Sequence, residues 1–267
     1  MPRGFRFLQN RPRRPGPHRY GEFYLYDQMK ILAIGDIHQA PNLDEIEATI
    51  TQVAPDQTVF LGDYFDQWFD TPNDAARTAK WLKWSLDQPN RVHLWGNHDL
   101  PYALLGRCPG WTQEKQAAVQ EVIPTDGWGR LRLWHFLEGW LFTHAGLSKS
   151  VCPRIARPSS LVPMLRREEE LAWKQLKRGE SHWIWSASAI RSGNAKVGGI
   201  LWCDLAEFTS LNGINQVFGH TPLRTLARMP GPKCVNWCID VATREGVSEA
   251  LVIDGNEGFP VRIGQRD

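Results

Sequence analysis

The sequence predicts an α/β fold that begins with parallel strands, and three observations carry that prediction. Short apolar runs of strand length, "KILAIGD", "TVFLGD" and "RVHLWGNHD", alternate with helix-like stretches near Leu43 to Val53 and Asp74 to Leu86. The runs are bounded by Gly and polar turn residues, as strands are. Each run is followed at once by acidic, amide or imidazole side chains: Asp36 and His38, then Asp63 and Asp66, then Asn97, His98 and Asp99. A βαβαβ sequence packs its strands in parallel through right-handed crossovers. These polar residues therefore gather at the carboxyl edge of one sheet, where open α/β sheets bind their ligands.

The elements follow in chain order. Residues 1–28 are rich in Pro, Arg and Gly and are expected to form a disordered basic arm; they lack the apolar segment of a secretory signal. A clean buried strand starts at Met29, so a start site there is as compatible with the sequence as a functional basic tail. From 29 to 267 a single domain is expected. After the third strand a hairpin-like pair, "LRLWHFLEG" and "WLFTHAGL", brings His144 to a strand end, and "INQVFGHTP" brings His220 to another. Segments 100–129 and 148–197 lack sheet pattern and are expected to form a helical cap. The second contains "LRREEELAWKQLKRG", a helix whose charges read as a solvated face. Trp183, Trp185 and Trp202 could stack a base or aryl group, although core packing is the commoner use of tryptophan.

Composition narrows the classes. The 267 residues are 42% hydrophobic and 22% charged, ordinary for a globular chain with a sizeable core. Net charge is +2, and residues 1–28, with six arginines against Glu22 and Asp27, carry +4 of it, leaving −2 for the rest. The folded body thus has no basic case for nucleic-acid binding. No run of eighteen apolar residues occurs, so no membrane span is expected. Five cysteines without metal-type spacing fit a reducing cytoplasm, with Cys234 and Cys238 reading as buried structural thiols on a strand.

Five strand ends each delivering Asp, His or Asn turn the carboxylates of "VFLGDYFDQW" from loop caps into candidate ligands. Asp63 is the residue best placed to bridge two metal ions, because a carboxylate's two oxygens can hold cations about 3.5–4 Å apart in a two-metal hydrolytic site. A donor set of Asp, Asn and His without thiolate suits manganese, iron or zinc rather than calcium.

The motifs "GDIH", "GDYFD", "GNHD", "THAG" and "GHTP" together make the chain resemble the calcineurin-like metallophosphoesterases, from Met29 to about Ile253. Later motifs, "HAGL", "ILWCDL", "FGHTPL" and "CIDVATREGVSEALVI", are similar to the branch that holds phosphoprotein phosphatases and symmetrical dinucleoside tetraphosphate hydrolases. The resemblance implies a four-layer α/β/β/α sandwich of two mixed sheets with flanking helices. It implies one metal on Asp36, His38 and Asp63, and a second on Asp63, Asn97, His144 and His220, manganese first, with iron and zinc as alternatives. His98 would protonate the leaving oxygen, oriented by Asp66. The implied activity is hydrolysis of a phosphate ester by in-line attack of metal-bound hydroxide. The substrate would be a phosphorylated small molecule, a nucleotide or a phosphoprotein.

Departures from the pattern qualify this. Pro222 stands where many diesterases place a second His, which favours the phosphatase branch, whereas Gln67, Trp68, Trp95 and Asp99 replace residues typical of protein phosphatases, including the phosphate-clamping arginines. Arg191, in the glycine-rich "SAIRSGNAKVGG", is the first candidate to supply the missing charge, against the simpler reading of a solvated loop arginine. A dinucleoside polyphosphate hydrolase, a phosphodiesterase or nuclease, and a non-catalytic binding module are the alternatives to a phosphatase. The complete ligand set argues against the last, and the missing basic body and Pro222 argue against a nuclease.

Overall fold

A computed structural model describes residues 28–104, 106–152 and 158–265. All of the basic arm but Gln28 lies outside them. Chain order gives β1 (Lys30–Ile34), α1 (Leu43–Val53), β2 (Gln57–Phe60), α2 (Pro72–Leu86), β3 (Arg91–His93), α3 (Asp99–Leu104), α4 (Gln113–Gln120), β4 (Trp134–Leu137), β5 (Trp140–Thr143) and α5 (Leu161–Leu176). Then follow β6 (Asn215–Phe218), β7 (Ala227–Gly231), β8 (Cys234–Cys238), β9 (Ala242–Thr243), β10 (Gly246–Val247), β11 (Glu249–Asp254) and β12 (Glu257–Arg262).

The expected βαβαβ opening is present, with β1, β2 and β3 parallel. They belong to a sheet of order β12-β11-β1-β2-β3, made mixed by β11, which pairs antiparallel with β1 from Lys30 opposite Asp254 to Ala33 opposite Leu251. The second sheet, β4-β5-β6-β8-β7, repeats the arrangement: β5, β6 and β8 are parallel, and antiparallel β4 and β7 close its edges.

Side-chain alternation along β1 sorts the layers. Ile31 and Ala33 join Val59, Val92, Trp140, Phe142, Val217 and Trp237 in a core that both sheets share. Leu32 and Ile34 point the other way, into an apolar cluster with Leu43 and Ile46 of α1 and Ala75, Ala79 and Leu82 of α2. Leu165 and Ala172 of α5 lie in that cluster together with Leu141 of β5. Strands covered on both faces need continuous apolar runs, which is why these were readable in the sequence. Helix α2 starts two residues earlier than expected, because Thr71 caps it reciprocally with Asp74 and Pro72 takes the first turn, where its missing N–H costs nothing. No disulfide forms among the described residues, and Cys234 and Cys238 bound β8 as expected, although only Cys238 is fully buried and Cys234 is half-buried. No helix among the described residues is long and apolar enough to cross a membrane.

His93, at the end of β3, is buried against Phe60, ring on ring at 4.5 Å, with Nδ1 and Nε2 bonded to the hydroxyls of Tyr64 and Ser85. Burial, and then Arg91, push its pKa from 6.5 down to about 3. The folded protein therefore keeps the ring neutral where the unfolded chain protonates it. Stability is full above about pH 6.5 and falls as pH drops toward 3, by at most about 1.4 kcal/mol per pH unit from this group. In urea melts between pH 7 and 5, His93→Gln should lose stability with a shallower slope than wild type; parallel slopes would contradict this.

Candidate metal centre

Both sheets deliver polar side chains to a common edge. Asp36 and His38 follow β1, Asp63 and Asp66 follow β2, and Asn97, His98 and Asp99 follow β3; from the other sheet come His144 after β5, His220 after β6 and Asp240 after β8. The turns that carry them are unusual. His38, Asp63, Asp66 and His220 all have left-handed backbone, with φ of 43°, 49°, 65° and 69°. Each such residue costs about 1–3 kcal/mol, a cost found where function demands a geometry. Two glycines let the turns close: a Cβ on Gly96 would lie 2.1 Å from Asp63 Oδ1, and one on Gly219 2.0 Å from Asp36 Oδ1.

Asp63 Oδ2 lies 3.7 Å from His38 Nε2 and 3.4 Å from His144 Nε2. Asp36 Oδ2 is 3.8 Å from His38 Nε2, while His144 Nε2 is 2.8 Å from Asn97 Oδ1 and 3.2 Å from His220 Nδ1. Two groups able to hold a metal result, Asp36–His38–Asp63 and Asp63–His144–His220, with donor atoms within 4.8 Å of one another and Asp63 common to both. Two tautomers are fixed from behind. His38 Nδ1 donates to Phe65 O and His144 Nδ1 to Leu61 O, each at 3.0 Å, so Nε2 is the atom each ring turns inward, the one that would offer a lone pair to a metal ion in place of a proton. Trp202 stands edge-on to His220, ring centres 5.8 Å apart.

The charge balance calls for cations. Burial, then Asp240, raise the pKa of Asp36 well above the carboxylate range. Burial would do the same to Asp63, but His144 and His98 outweigh it and hold Asp63 well below. Burial alone would lower His38 and His144; Asp63 and Asp36 override it and lift them to about 9 and about 10. His220 is driven well down by burial and by His144. Buried carboxylates that pull protons onto histidines are equally suited to pulling metal ions in their place.

Beside the clusters lies the pair expected to act on the leaving group. His98 Nδ1 is 3.2 Å from Asp66 Oδ2, and the His98 ring stands edge-on to His38 at 5.3 Å. Asp66 also accepts from Tyr102 Oη at 2.7 Å and from Lys115 Nζ and Cys108 Sγ at 2.9 Å. Burial would raise its pKa, but the bonds from His98, Cys108, Tyr102 and Lys115 win and keep it depressed. The segment expected as a first cap reaches the rim through Cys108 and Lys115. The second reaches it through Arg191, whose Nη2 contacts His220 O at 3.3 Å and Thr221 Oγ1 at 3.2 Å but pairs with Asp204 at 2.8 Å.

Sequence reasoning passed over Asp99 as a brace, Asp240, Lys115 and Cys108. Asp99 is wholly buried and accepts from the amides of Asp63, Gly96 and Tyr64 at 2.8–2.9 Å, locking the β2 turn to the β3 turn. Asp240 ends "CVNWCID", an apolar run followed by Asp, so the strand-end rule would have found it. Lys115 and Cys108 come from patternless segments and gave no such signal.

A double-sheet sandwich with paired Asp/His clusters at one edge defines a protein built to hold metal. The chain belongs to the calcineurin-like phosphoesterase family, whose profile matches residues 29–237. No curated protein sequence matches it. Among solved structures, it is similar to a cold-active protein tyrosine phosphatase from a psychrophilic Shewanella, at 14% identity and a TM-score of 0.53 over 89% of this chain and 78% of that one. A putative diadenosine tetraphosphatase is 18% identical, with a TM-score of 0.49 over 89% and 95% of the chains. A Saccharomyces cerevisiae serine/threonine phosphatase is 10% identical, with a TM-score of 0.48 over 91% and 82%.

Asp99→Ala should strand three buried amides, at about 1–3 kcal/mol each before water and relaxation compensate. A net loss of roughly 2–4 kcal/mol in urea unfolding at pH 7.5 is expected. A loss below about 0.5 kcal/mol, the size of an ordinary surface change, would show that the carboxylate braces nothing.

Proposed function

We propose that the protein is a binuclear metal-dependent phosphatase. The observation that carries this reading is Asp63 Oδ2 facing His38 Nε2 on one side and His144 Nε2 on the other. Asp36, His38 and Asp63 would hold one ion and Asp63, Asn97, His144 and His220 the other, manganese first, with iron and zinc compatible with the same oxygen and nitrogen donors. Such ions supply Lewis acidity at the phosphoryl oxygens and lower the pKa of bound water.

The chain's own groups supply the rest. His98 donates a proton from Nε2 to the departing oxygen, while Asp66 holds Nδ1 and orients the ring. Gly96 and Gly219 keep the turns close enough for the donors to converge. Arg191 brings positive charge beside His220 for the substrate phosphate, at the expense of its pairing with Asp204. Hydrolysis of dinucleoside polyphosphates is the second reading. It is favoured by Trp68 and Phe69, 79% and 84% exposed, with the Arg244 guanidinium 4.7 Å over the Phe69 ring. Their neighbour Gln67 donates to His38 O, which ties the loop that carries these rings to the loop of His38, and the rings could stack a base.

Purified protein should carry about two transition-metal ions per chain; chelation should abolish phosphate-ester hydrolysis and manganese restore it. Asp63→Asn should cost more bound metal than any other single ligand change, and metal content equal to wild type would remove it from the shared position. His98→Ala should keep both metals yet lose roughly 10²–10⁴-fold in turnover on an alkyl phosphate, with a smaller loss on nitrophenyl phosphate, whose oxygen leaves readily without a proton. Equal losses on the two substrates would assign the histidine another task.

A further inference from the structure

We propose a third metal site, apart from the paired clusters, in which Asp66 Oδ2, His98 Nδ1 and Cys108 Sγ bind Zn²⁺ and so disable the acid–base pair. The three donors come from three separate loops, after β2, after β3 and after α3, and their ligand atoms lie within 4.8 Å of one another. Asp66 Oδ2 is the common point, 3.2 Å from Nδ1 and 2.9 Å from Sγ. Tetrahedral zinc, with bonds of about 2.0–2.3 Å, sets its ligand atoms about 3.3–3.6 Å apart. To accept the ion, Oδ2 and Sγ must part by about 0.6 Å and Oδ2 and Nδ1 hardly at all, while Nδ1 and Sγ, within 4.8 Å of each other, settle about 3.5 Å apart.

Chemistry selects zinc and separates this site from the other two. Thiolate, imidazole and carboxylate together form a zinc donor set, and three protein ligands leave the fourth position to water. The paired clusters contain no sulfur donor. Access is open, since the His98 side chain is 18% exposed and Cys108 is only part-buried. Lys115 opposes the ion but does not block it. Its Nζ bonds Oδ1 of Asp66, the other oxygen, and also both carboxylate oxygens of Asp70 at 2.9 Å, so the lysine has a second partner if Asp66 turns. Tyr102 Oη likewise bonds Oδ1. The opposing charge and the need to expel a thiol proton make this a regulatory site rather than a structural one.

Binding balances as follows. The Cys108 S–H and His98 Nδ1–H bonds break, both protons leave to solvent, and the thiolate and the Nδ1 lone pair bind zinc; the imidazole keeps its other proton on Nε2. A zinc-bound neutral imidazole gives up that proton far less readily than an imidazolium. Asp66 is withdrawn from the ring at the same time. The inhibitory consequence rests on the proposed role of His98, but the binding does not.

Cobalt(II) tests the binding directly, because a cobalt–thiolate bond gives a near-ultraviolet charge-transfer band that oxygen and nitrogen donors do not. Manganese-loaded protein titrated with cobalt should develop this band. It should persist in Asp63→Asn and disappear in Cys108→Ser and Cys108→Ala, whose folding is checked by circular dichroism. No band in wild type at saturating cobalt, or a band that survives both Cys108 variants, overturns the site. Zinc added to the manganese enzyme should then slow alkyl phosphate turnover by about a hundredfold or more in wild type, the lower end of a general-acid contribution, and spare Cys108→Ser, whose hydroxyl can still donate to Asp66. Equal inhibition of both proteins overturns the inhibitory role while leaving the band to decide on binding. Absence of any hydrolysis would count against the phosphatase reading and not against this site.

Discussion

Every polar atom of Asp63 is committed, and the meeting of the two sheets depends on it. Its amide donates to Asp99, its carbonyl accepts from Ile37 and His38, Oδ1 accepts from the His98 amide, and Oδ2 faces His38 and His144. One residue thereby fixes the loops after β1, β2 and β3 relative to one another and presents them to the second sheet. The left-handed backbone at this position is what allows so many directions at once, and the surrounding bonds hold it there.

Holding charge in such a seam is costly, and the structure meets the cost differently on its two sides. Around Asp66 the answer is a complete set of donors, including the ammonium of Lys115, itself only 2% exposed and shared with Asp70. Around Asp36 and Asp63 no lysine or arginine pairs with the carboxylates among the described residues, and neighbouring histidines share their charge instead. The first arrangement is self-sufficient. The second leaves its carboxylates able to accept cations, and this contrast sets Asp66 apart from Asp36 and Asp63.

Much of this could be read in the sequence because the relevant signals are local. Strands covered on both faces announce themselves as apolar runs, and the Asp, Asn and His residues directly after them inherit their position from the strand. Asp36, His38, Asp63, Asn97, His98, His144 and His220 were all found this way, and the structure brings them together. Asp66 follows the same strand as Asp63, and Thr71, not Asp66, caps the helix that comes after it. Lys115 and Cys108 were illegible because their position depends on how a patternless segment folds back onto Asp66, a tertiary fact with no periodic trace. Arg191 was found from composition and lies beside His220, but its pairing with Asp204 is another long-range contact that no local signal reveals. Of the tryptophans considered for stacking, Trp183 and Trp185 spend their N–H groups on Glu168 and the Ala172 carbonyl, while the exposed rings are those of Trp68 and Phe69.

The pairing of β1 with β11 has a consequence for biosynthesis. β1 is the middle strand of its sheet and needs a neighbour on each side, yet one neighbour lies more than two hundred residues downstream, Lys30 opposite Asp254. At ordinary translation rates of about 5–20 residues per second, the open edge of β1 waits on the order of ten to forty seconds for its partner. The nascent chain must keep an apolar strand edge from pairing with other chains throughout that interval. Folding of the first sheet therefore finishes only after β11 has been made, and a chain cut short before β11 would expose the same edge permanently and tend to aggregate.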